Sequence, residues 1–277
     1  MSGLGALYAR ALVGAAQPRC GDALPDDVLE RDDVEIDREH LAAYDHVCGF
    51  RLSERLPPTY LHVAAFPLAM ELMTRSSFPF SVLGLVHVTN VIDELRPVAT
   101  ADRPSLRVWA EDLRAHRRGR QFDLVAEARV GDELVWTDRS TYLRRQSSAG
   151  DNPGRPAPEP EPPAEAAVRL DVPGDIGRRY AAVSGDRNPI HLHGLGAKLF
   201  GIRGPIAHGM WMKARCLAAF EERLGQPARY TVRFKQPLRI PARAGLASAR
   251  RHDELDFALR SGDGDKVHLT GSIGTLR

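Results

Sequence analysis

The stretch YAAVSGDRNPIHLHG, Tyr180 to Gly194, packs an acid, an amide, a proline-fixed turn and a histidine into a few residues. Gly185 permits a backbone conformation closed to other residues, and Pro189 sets its own φ. Together they predict a rigid turn after a helix that ends near Val183. Asp186 and His191 stand five residues apart, too far for one helical turn to align them. A tight turn instead brings both side chains onto one small molecule such as water. A carboxylate and an imidazole sharing a water can remove one proton while delivering another. Asn188 both donates and accepts hydrogen bonds and so can hold its neighbours. Taken singly, these are ordinary surface-turn residues. Five specified residues at fixed spacing arise by chance in a chain of this size only about once in 10⁴. The combination reads as an acid–base site.

A partial copy lies upstream. YDHVCGF, Tyr44 to Phe50, repeats the helical lead-in without the acid and the histidine. Aligning Tyr44 with Tyr180 places Cys48 opposite Ser184 and Phe50 opposite Asp186. VEIDREHLAAYDHVCG, from Val34, parallels VRLDVPGDIGRRYAAVSG, from Val168. LHVAAFPLAMELMTR, from Leu61, and AHGMWMKARCLAAFEERLG, from Ala207, follow. Both have apolar residues at spacings of three and four, the mark of a helix, and Gly225 supplies a stop for the second. The phrases DELRPV (Asp93–Val98) and QPLRIP (Gln236–Pro241) come next. Strand-like segments close each half: RVWAED, FDLVAEARV and LVWTDRSTYLRR in the first, LASARR, LDFALR and VHLTGSIGTLR in the second.

Between the halves, QSSAGDNPGRPAPEPEPPAEAA (146–167) is dominated by proline, glycine, alanine and glutamate and sustains neither helix nor strand. The chain therefore divides into 1–145, a linker over 146–167, and 168–277. A long apolar helix followed by antiparallel strands implies an α+β layer, with the sheet wrapped around the helix. Two such units predict two antiparallel sheets, each around a long central helix, paired as a pseudo-dimer.

Composition narrows the classes. A length of 277 residues suits about two domains, and 43% apolar with 27% charged residues suits a globular protein. A net charge of +2 is too small to call for nucleic acid or an anionic membrane. Cys20, Cys48 and Cys216 have the spacing of neither a zinc site nor a redox pair, so they read as reduced thiols in a cytoplasmic protein. The N-terminal MSGLGALYARALVGAAQP lacks a basic region before its apolar part, which Arg10 interrupts. A short surface helix is expected there. No run approaches the ~20 apolar residues of a membrane span.

A second chemical element is Ile206-Ala207-His208-Gly209, at the start of the second long helix. Gly209 leaves its backbone N–H open at the positive end of the helix dipole, suited to a carbonyl oxygen gaining negative charge. YAAVSGDRNPIH followed by GPIAHGM resembles the (R)-specific enoyl-CoA hydratase motif of the MaoC-like dehydratase family, which has the hotdog fold. The resemblance is specific through Tyr180–Arg215 and extends over Val168–Arg277, and the two-half arrangement resembles the double-hotdog members.

It implies that Asp186 and His191 activate water for syn addition to a trans-2-enoyl thioester, or for the reverse dehydration. Asn188 then orients the site and the Gly209 N–H is the oxyanion donor. Ser184, Ile206 and His208 fall where substrate is bound. No metal or redox cofactor is implied, because the CoA or carrier-protein pantetheine belongs to the substrate. Either a monomeric pseudo-dimer or a homodimer is compatible. Two positions depart from the family pattern: His193, where an acid is common, and ARAG after QPLRIP, where Gly-Asp is common. The first half has no counterpart of the acid/base pair, and its expected roles are to complete the sheet and line an acyl tunnel. It also reaches its long helix about ten residues sooner, which leaves room for a long or bulky chain.

A hotdog thioesterase is the nearest rival, with a carboxylate on the central helix. Glu221 and Glu222 lie at the far end of the second helix, while Glu71 sits mid-helix in the first, with His62 near its start. The ordinary reading of Glu71 is a solvent-facing or neighbour-satisfying residue. A non-catalytic acyl-thioester binder is the other alternative, against which an acid/base set is a costly burial without use. Lys213, Arg215 and Arg203 would lie near a mouth and meet substrate phosphates, but basic residues on a helix are usually solvated and are not assigned.

Overall fold

The computed structural model describes residues 5–8, 11, 22–146, 161–199 and 201–276. Cys20 and residues 147–160 of the expected linker lie outside the described residues. The first half runs β1 (Leu29–Arg31), α1 (Arg38–Cys48), α2 (Tyr60–Thr74), β2 (Leu85–Glu94), β3 (Ser105–His116), β4 (Gly119–Val130) and β5 (Glu133–Arg145). The second runs β6 (Ala166–Val172), α3 (Ile176–Ser184), α4 (Pro189–Leu192), α5 (Gly194–Leu199) and α6 (Gly209–Ala218). A 3₁₀ turn (Glu221–Arg223) then leads to β7 (Ala228–Phe234), β8 (Ala242–Arg251), β9 (Glu254–Ser261) and β10 (Val267–Thr275).

All ten strands join one antiparallel sheet in the order β1-β3-β4-β5-β2-β7-β10-β9-β8-β6. The order reads the same from both ends when β1 is matched with β6, β3 with β8, β4 with β9, β5 with β10 and β2 with β7. The expected pseudo-dimer of two helix-wrapping sheets is therefore present. Its sheets meet edge to edge along β2 and β7, from Thr89↔Arg233 to Glu94↔Ala228. This pairing hides two strand edges that would otherwise be open to other chains.

The helices follow from local chemistry. Asp37 caps α1 by accepting from the backbone N–H groups of Glu39 (2.9 Å) and His40 (3.1 Å). The matched tyrosines of the two lead-in helices pack together, with Tyr44 and Tyr180 ring centres 6.4 Å apart. His40 ties the halves further. A carbonyl only accepts, so His40 Nε2–H donates to Val183 O (2.8 Å), which leaves Nδ1 to accept from the Tyr60 hydroxyl (2.9 Å). The Trp211 indole N–H donates to Val47 O at 3.0 Å. One buried cluster runs through both halves, and the site lies inside it.

Three expectations change. Residues 5–8 are helical with Gly5 and Ala6 exposed, but the segment is anchored rather than merely superficial, because Leu7, Tyr8 and Ala11 are buried. The second long helix stops at Ala218 rather than near Gly225: Ala219 and Phe220 donate three residues back, to Cys216 and Leu217, and the chain tightens into the 3₁₀ turn. Ala166 and Ala167, counted with the linker, already belong to β6.

Candidate active site

The opening stretch folds as a chain of local hydrogen bonds. Gly185 ends α3 at φ +75°, a left-handed conformation that suits glycine, and donates to Ala181 O at 3.1 Å. Asp186 N–H donates to Ser184 Oγ (3.2 Å), and Asn188 N–H donates to Asp186 Oδ1 (3.1 Å). Asn188 Oδ1 accepts from Ile190 N–H at 3.4 Å and so caps α4, whose first residue is Pro189. The polar side chains of the turn thus build the turn that presents the acid.

The histidine is held from the other side. His191 Nδ1 lies 2.8 Å from Ile206 O, and a carbonyl only accepts, so Nδ1 carries the proton and Nε2 keeps a lone pair. His208 donates through Nε2 to Asp186 O at 3.0 Å and stacks on His191 with ring centres 3.7 Å apart. Burial, then neighbouring His191, push His208 down to about 3 against the pull of Asp186. His191 is also pushed below its ordinary range by burial, with Asp186 and the Ile206 carbonyl opposing. Both imidazoles are neutral at neutral pH, and His191 is ready to accept a proton.

Burial alone would raise Asp186. The facing imidazoles of His208 and His191 and hydrogen bonds from Tyr8 and the Asn188 N–H bring it below its ordinary value. Its side chain keeps 30% exposure, on the wall of a cavity of about 470 Å³. Ser184, Asp186, Asn188, His191, Ile206, His208 and Gly209 all line that cavity. The ligand atoms of Asp186, His191 and His208 lie within 4.8 Å of one another. The structure brings every expected site residue together and refines three roles. Ser184 acts through its hydroxyl on the turn, Ile206 through its carbonyl on His191, and His208 as the plate behind His191.

Gly209 begins α6 with no side-chain cap on that helix end, so first-turn N–H groups stay open toward the cavity. A side chain there would meet the Phe234 ring at 3.0 Å. Gly209→Ala is expected to lower kcat/KM about tenfold or more, by displacing Phe234 and obstructing the oxyanion position. Steady-state kinetics beside a melting curve check it, since alanine should not weaken the helix.

One site residue escaped the sequence reading. The Tyr8 hydroxyl, 178 positions away, donates to Asp186 Oδ1 at 2.8 Å. Burial, followed by the charge of Asp186, keeps that hydroxyl protonated far beyond its ordinary range. The available signal was the four-residue spacing of Leu7 and Ala11 around it, an apolar stripe in a segment read as surface. Tyr8→Phe removes a donor to the carboxylate, so the Asp186 pKa should rise. The acid limb of the pH–rate profile should move to higher pH, with kcat falling about tenfold. An unchanged profile would refute that role.

The first half contributes the facing wall through Val63, Phe66, Met70 and Met73 of α2. Its polar residues depart from expectation. Glu71 reaches forward to Arg75 at 3.7 Å and, among the described residues, makes no pair with His62, so the ordinary reading holds. His62 instead meets buried Asp138 at 2.8 Å. Lys213, expected near a mouth, is fully buried: its four-methylene stem and helix position carry Nζ inward to Asn90 Oδ1 and Tyr230 O. Burial pushes Lys213 down to about 7, against the charges of Asp138 and Asp93. Arg203 is exposed and Arg215 half-buried, and neither lines the cavity.

The fold is that of a dehydratase class, and the chain belongs to the MaoC-like dehydratase family. Residues 155–271 match the MaoC-like domain. The chain is similar to 3-hydroxyacyl-thioester dehydratase X of Mycobacterium tuberculosis, 41% identical over 271 residues and 96% of each chain. It superposes on the crystal structure of HtdX from the same organism with a TM-score of 0.80 at 38% identity, over 90% of this chain and 100% of that one. A more distant Mycobacterium tuberculosis protein described as a double hotdog fold has a TM-score of 0.55 at 12% identity, over 91% of this chain and 96% of that one. The architecture is the double hotdog. Among the described residues, no helix is long and apolar enough to cross a membrane.

Proposed function

We propose that the protein catalyses (R)-specific hydration of trans-2-enoyl thioesters and the reverse dehydration of (3R)-hydroxyacyl thioesters, carried on CoA or acyl carrier protein, in fatty-acid metabolism. The observation that carries this is the pairing of an ionised Asp186 with a neutral His191 whose free nitrogen shares the cavity. Water sits between them. His191 Nε2 takes one proton as the oxygen adds to C3, while Asp186 holds the second hydrogen. The proton is returned to C2 from the same face, which makes the addition syn. The thioester oxygen gathers charge as the C2 carbanion forms, and the Gly209 N–H donates to it. Dehydration runs the same path backwards. The 3-hydroxyacyl-thioester relative supports the substrate class.

The proposed steps call for no resident metal or redox group, because they move only protons and Asp186 and His191 handle those directly. Two buried free thiols, Cys48 and Cys216, fit a reducing cytoplasmic setting. The fused sheet is a pseudo-dimer in itself, so a monomer is sufficient. The test is hydration of crotonyl-CoA and a longer trans-2-enoyl-CoA, before and after dialysis against a chelator, with product stereochemistry resolved. An (S) product, a metal requirement, or free thiol released without hydration would each overturn the reading; the last would instead favour the thioesterase.

A further inference from the structure

Three neighbouring strands at the seam line the cavity with the same succession of levels. At one end Arg145, closing β5, and Lys235, following β7, are exposed. Next comes a layer of rings, with His87 centred 4.6 Å from Tyr142 and 4.8 Å from Phe234. The chemistry belongs to this layer: Phe234 abuts Gly209, and the Tyr142 hydroxyl is pushed up by burial and then by the charge of Asp186. Farther along, behind the cavity lining, lie Asn90 of β2, Asp138 of β5 and the Tyr230 carbonyl of β7. Asp138 is four residues past Tyr142 on the same strand face, roughly 13 Å at the strand rise.

At that farther level stands His62. Asp138 Oδ1 also accepts from Asn90 Nδ2 (2.7 Å) and the Ser140 hydroxyl (2.9 Å), and Lys213 braces Asn90 from behind. The carboxylate is ionised, so His62 Nδ1 carries a proton toward it and the ring is fixed. Among the described residues Nδ1 is the nitrogen of His62 that is hydrogen-bonded. The ring lines the cavity beside Val63 and Phe66, 6.4 Å from His87. A fixed polar nitrogen thus interrupts a carbon wall, and a plain alkyl chain would desolvate it without replacing its hydrogen bond.

We propose that His62 is a hydrogen-bonding station for an oxygen on the substrate's acyl chain beyond the reacting carbons, so that the cavity favours oxygenated acyl thioesters over plain alkyl ones. The thioester lies at the ring layer, the phosphate-bearing end toward Arg145 and Lys235, and the acyl chain toward His62. This rests on the function proposed above and adds its substrate class.

The test compares kcat/KM for trans-2-decenoyl-CoA with a set carrying one hydroxyl at successive positions between the double bond and the chain end. In the unmodified protein the best hydroxylated member should exceed the plain one about tenfold, the worth of one well-placed hydrogen bond. His62→Leu should bring that ratio to one or below, with His62→Gln between. Should the leucine variant fail to fold, the glutamine variant decides. A ratio at or below one at every position, or one unmoved by the substitutions, overturns the proposal. So does an equal loss on plain and hydroxylated substrates, which would place His62 against the pantetheine. Absence of any hydration by the unmodified protein would instead defeat the underlying function, and this inference with it.

Discussion

Asp186→Asn and His191→Gln are each expected to lower kcat for enoyl-thioester hydration by roughly 10²–10⁴-fold, the usual worth of a positioned acid or base. The expectation comes from how little else these changes disturb. Asn at 186 keeps the volume and an oxygen that can accept from Tyr8 and the Asn188 N–H, so the turn stays built. It loses the charge that holds the water's second hydrogen and faces the imidazolium formed at His191. Gln at 191 can still donate to Ile206 O but has no basic nitrogen. His191→Ala should be as inactive and less stable, because it strands that carbonyl and leaves a void. Kinetics paired with circular dichroism separate the cases. Full activity in either Asp186→Asn or His191→Gln would refute the mechanism.

The second large effect is on stability in acid. His208 titrates near its ordinary 6.5 when unfolded and at about 3 when folded. Between those values the unfolded chain binds more protons, so stability falls as pH falls from about 6.5 toward 3, and is unaffected above that window. For a side chain 2% exposed, the full shift amounts to something on the order of 5 kcal/mol. That rivals the whole stability of many domains, typically ~5–15 kcal/mol. His191 and His87 add to it: burial lowers both, and among the described residues His87 Nε2 is buried without a partner. Asp45 opposes them. Burial, then Glu221, push it up to about 7, so the folded state takes up a proton there and gains stability as pH falls through 7.

Urea unfolding followed from pH 8 to pH 4 should show a net loss of stability toward acid. Asp45→Asn should steepen it by removing the opposing group, and His87→Leu should flatten it. A flat stability curve from pH 7 to pH 4 in the unmodified protein would contradict the neutral, buried imidazoles on which the mechanism depends.

Much of this was written in consecutive residues. The turn of Gly185, Asp186, Asn188 and Pro189 is closed by bonds between near neighbours, so its shape follows from local chemistry and is legible as a motif. The duplication was legible for the same reason. Helix caps, glycine stops and alternating strands recur in order, and the mirrored strand order follows from them. Asp186, His191 and Gly209 could be grouped from the sequence because motif and helix start lie within one short span, and all three line one cavity.

What stayed hidden depends on distant partners. Tyr8 reaches Asp186 across almost two-thirds of the chain, and the Leu7/Ala11 stripe around it signals burial but not a site. His62 reads as an ordinary helix residue until Asp138, Asn90 and Lys213 arrive from β5, β2 and α6. Lys213 looked solvated because its neighbours in sequence are silent about the polar pocket that receives it. By itself, then, the sequence determined two similar hotdog halves and one acid–base turn, since short-range geometry specifies both. Only the tertiary structure decided what faces that turn, because burial and long-range hydrogen bonding exist only once the two sheets have joined. It puts a tyrosine on the acid, and a fixed histidine in the wall that the first half supplies.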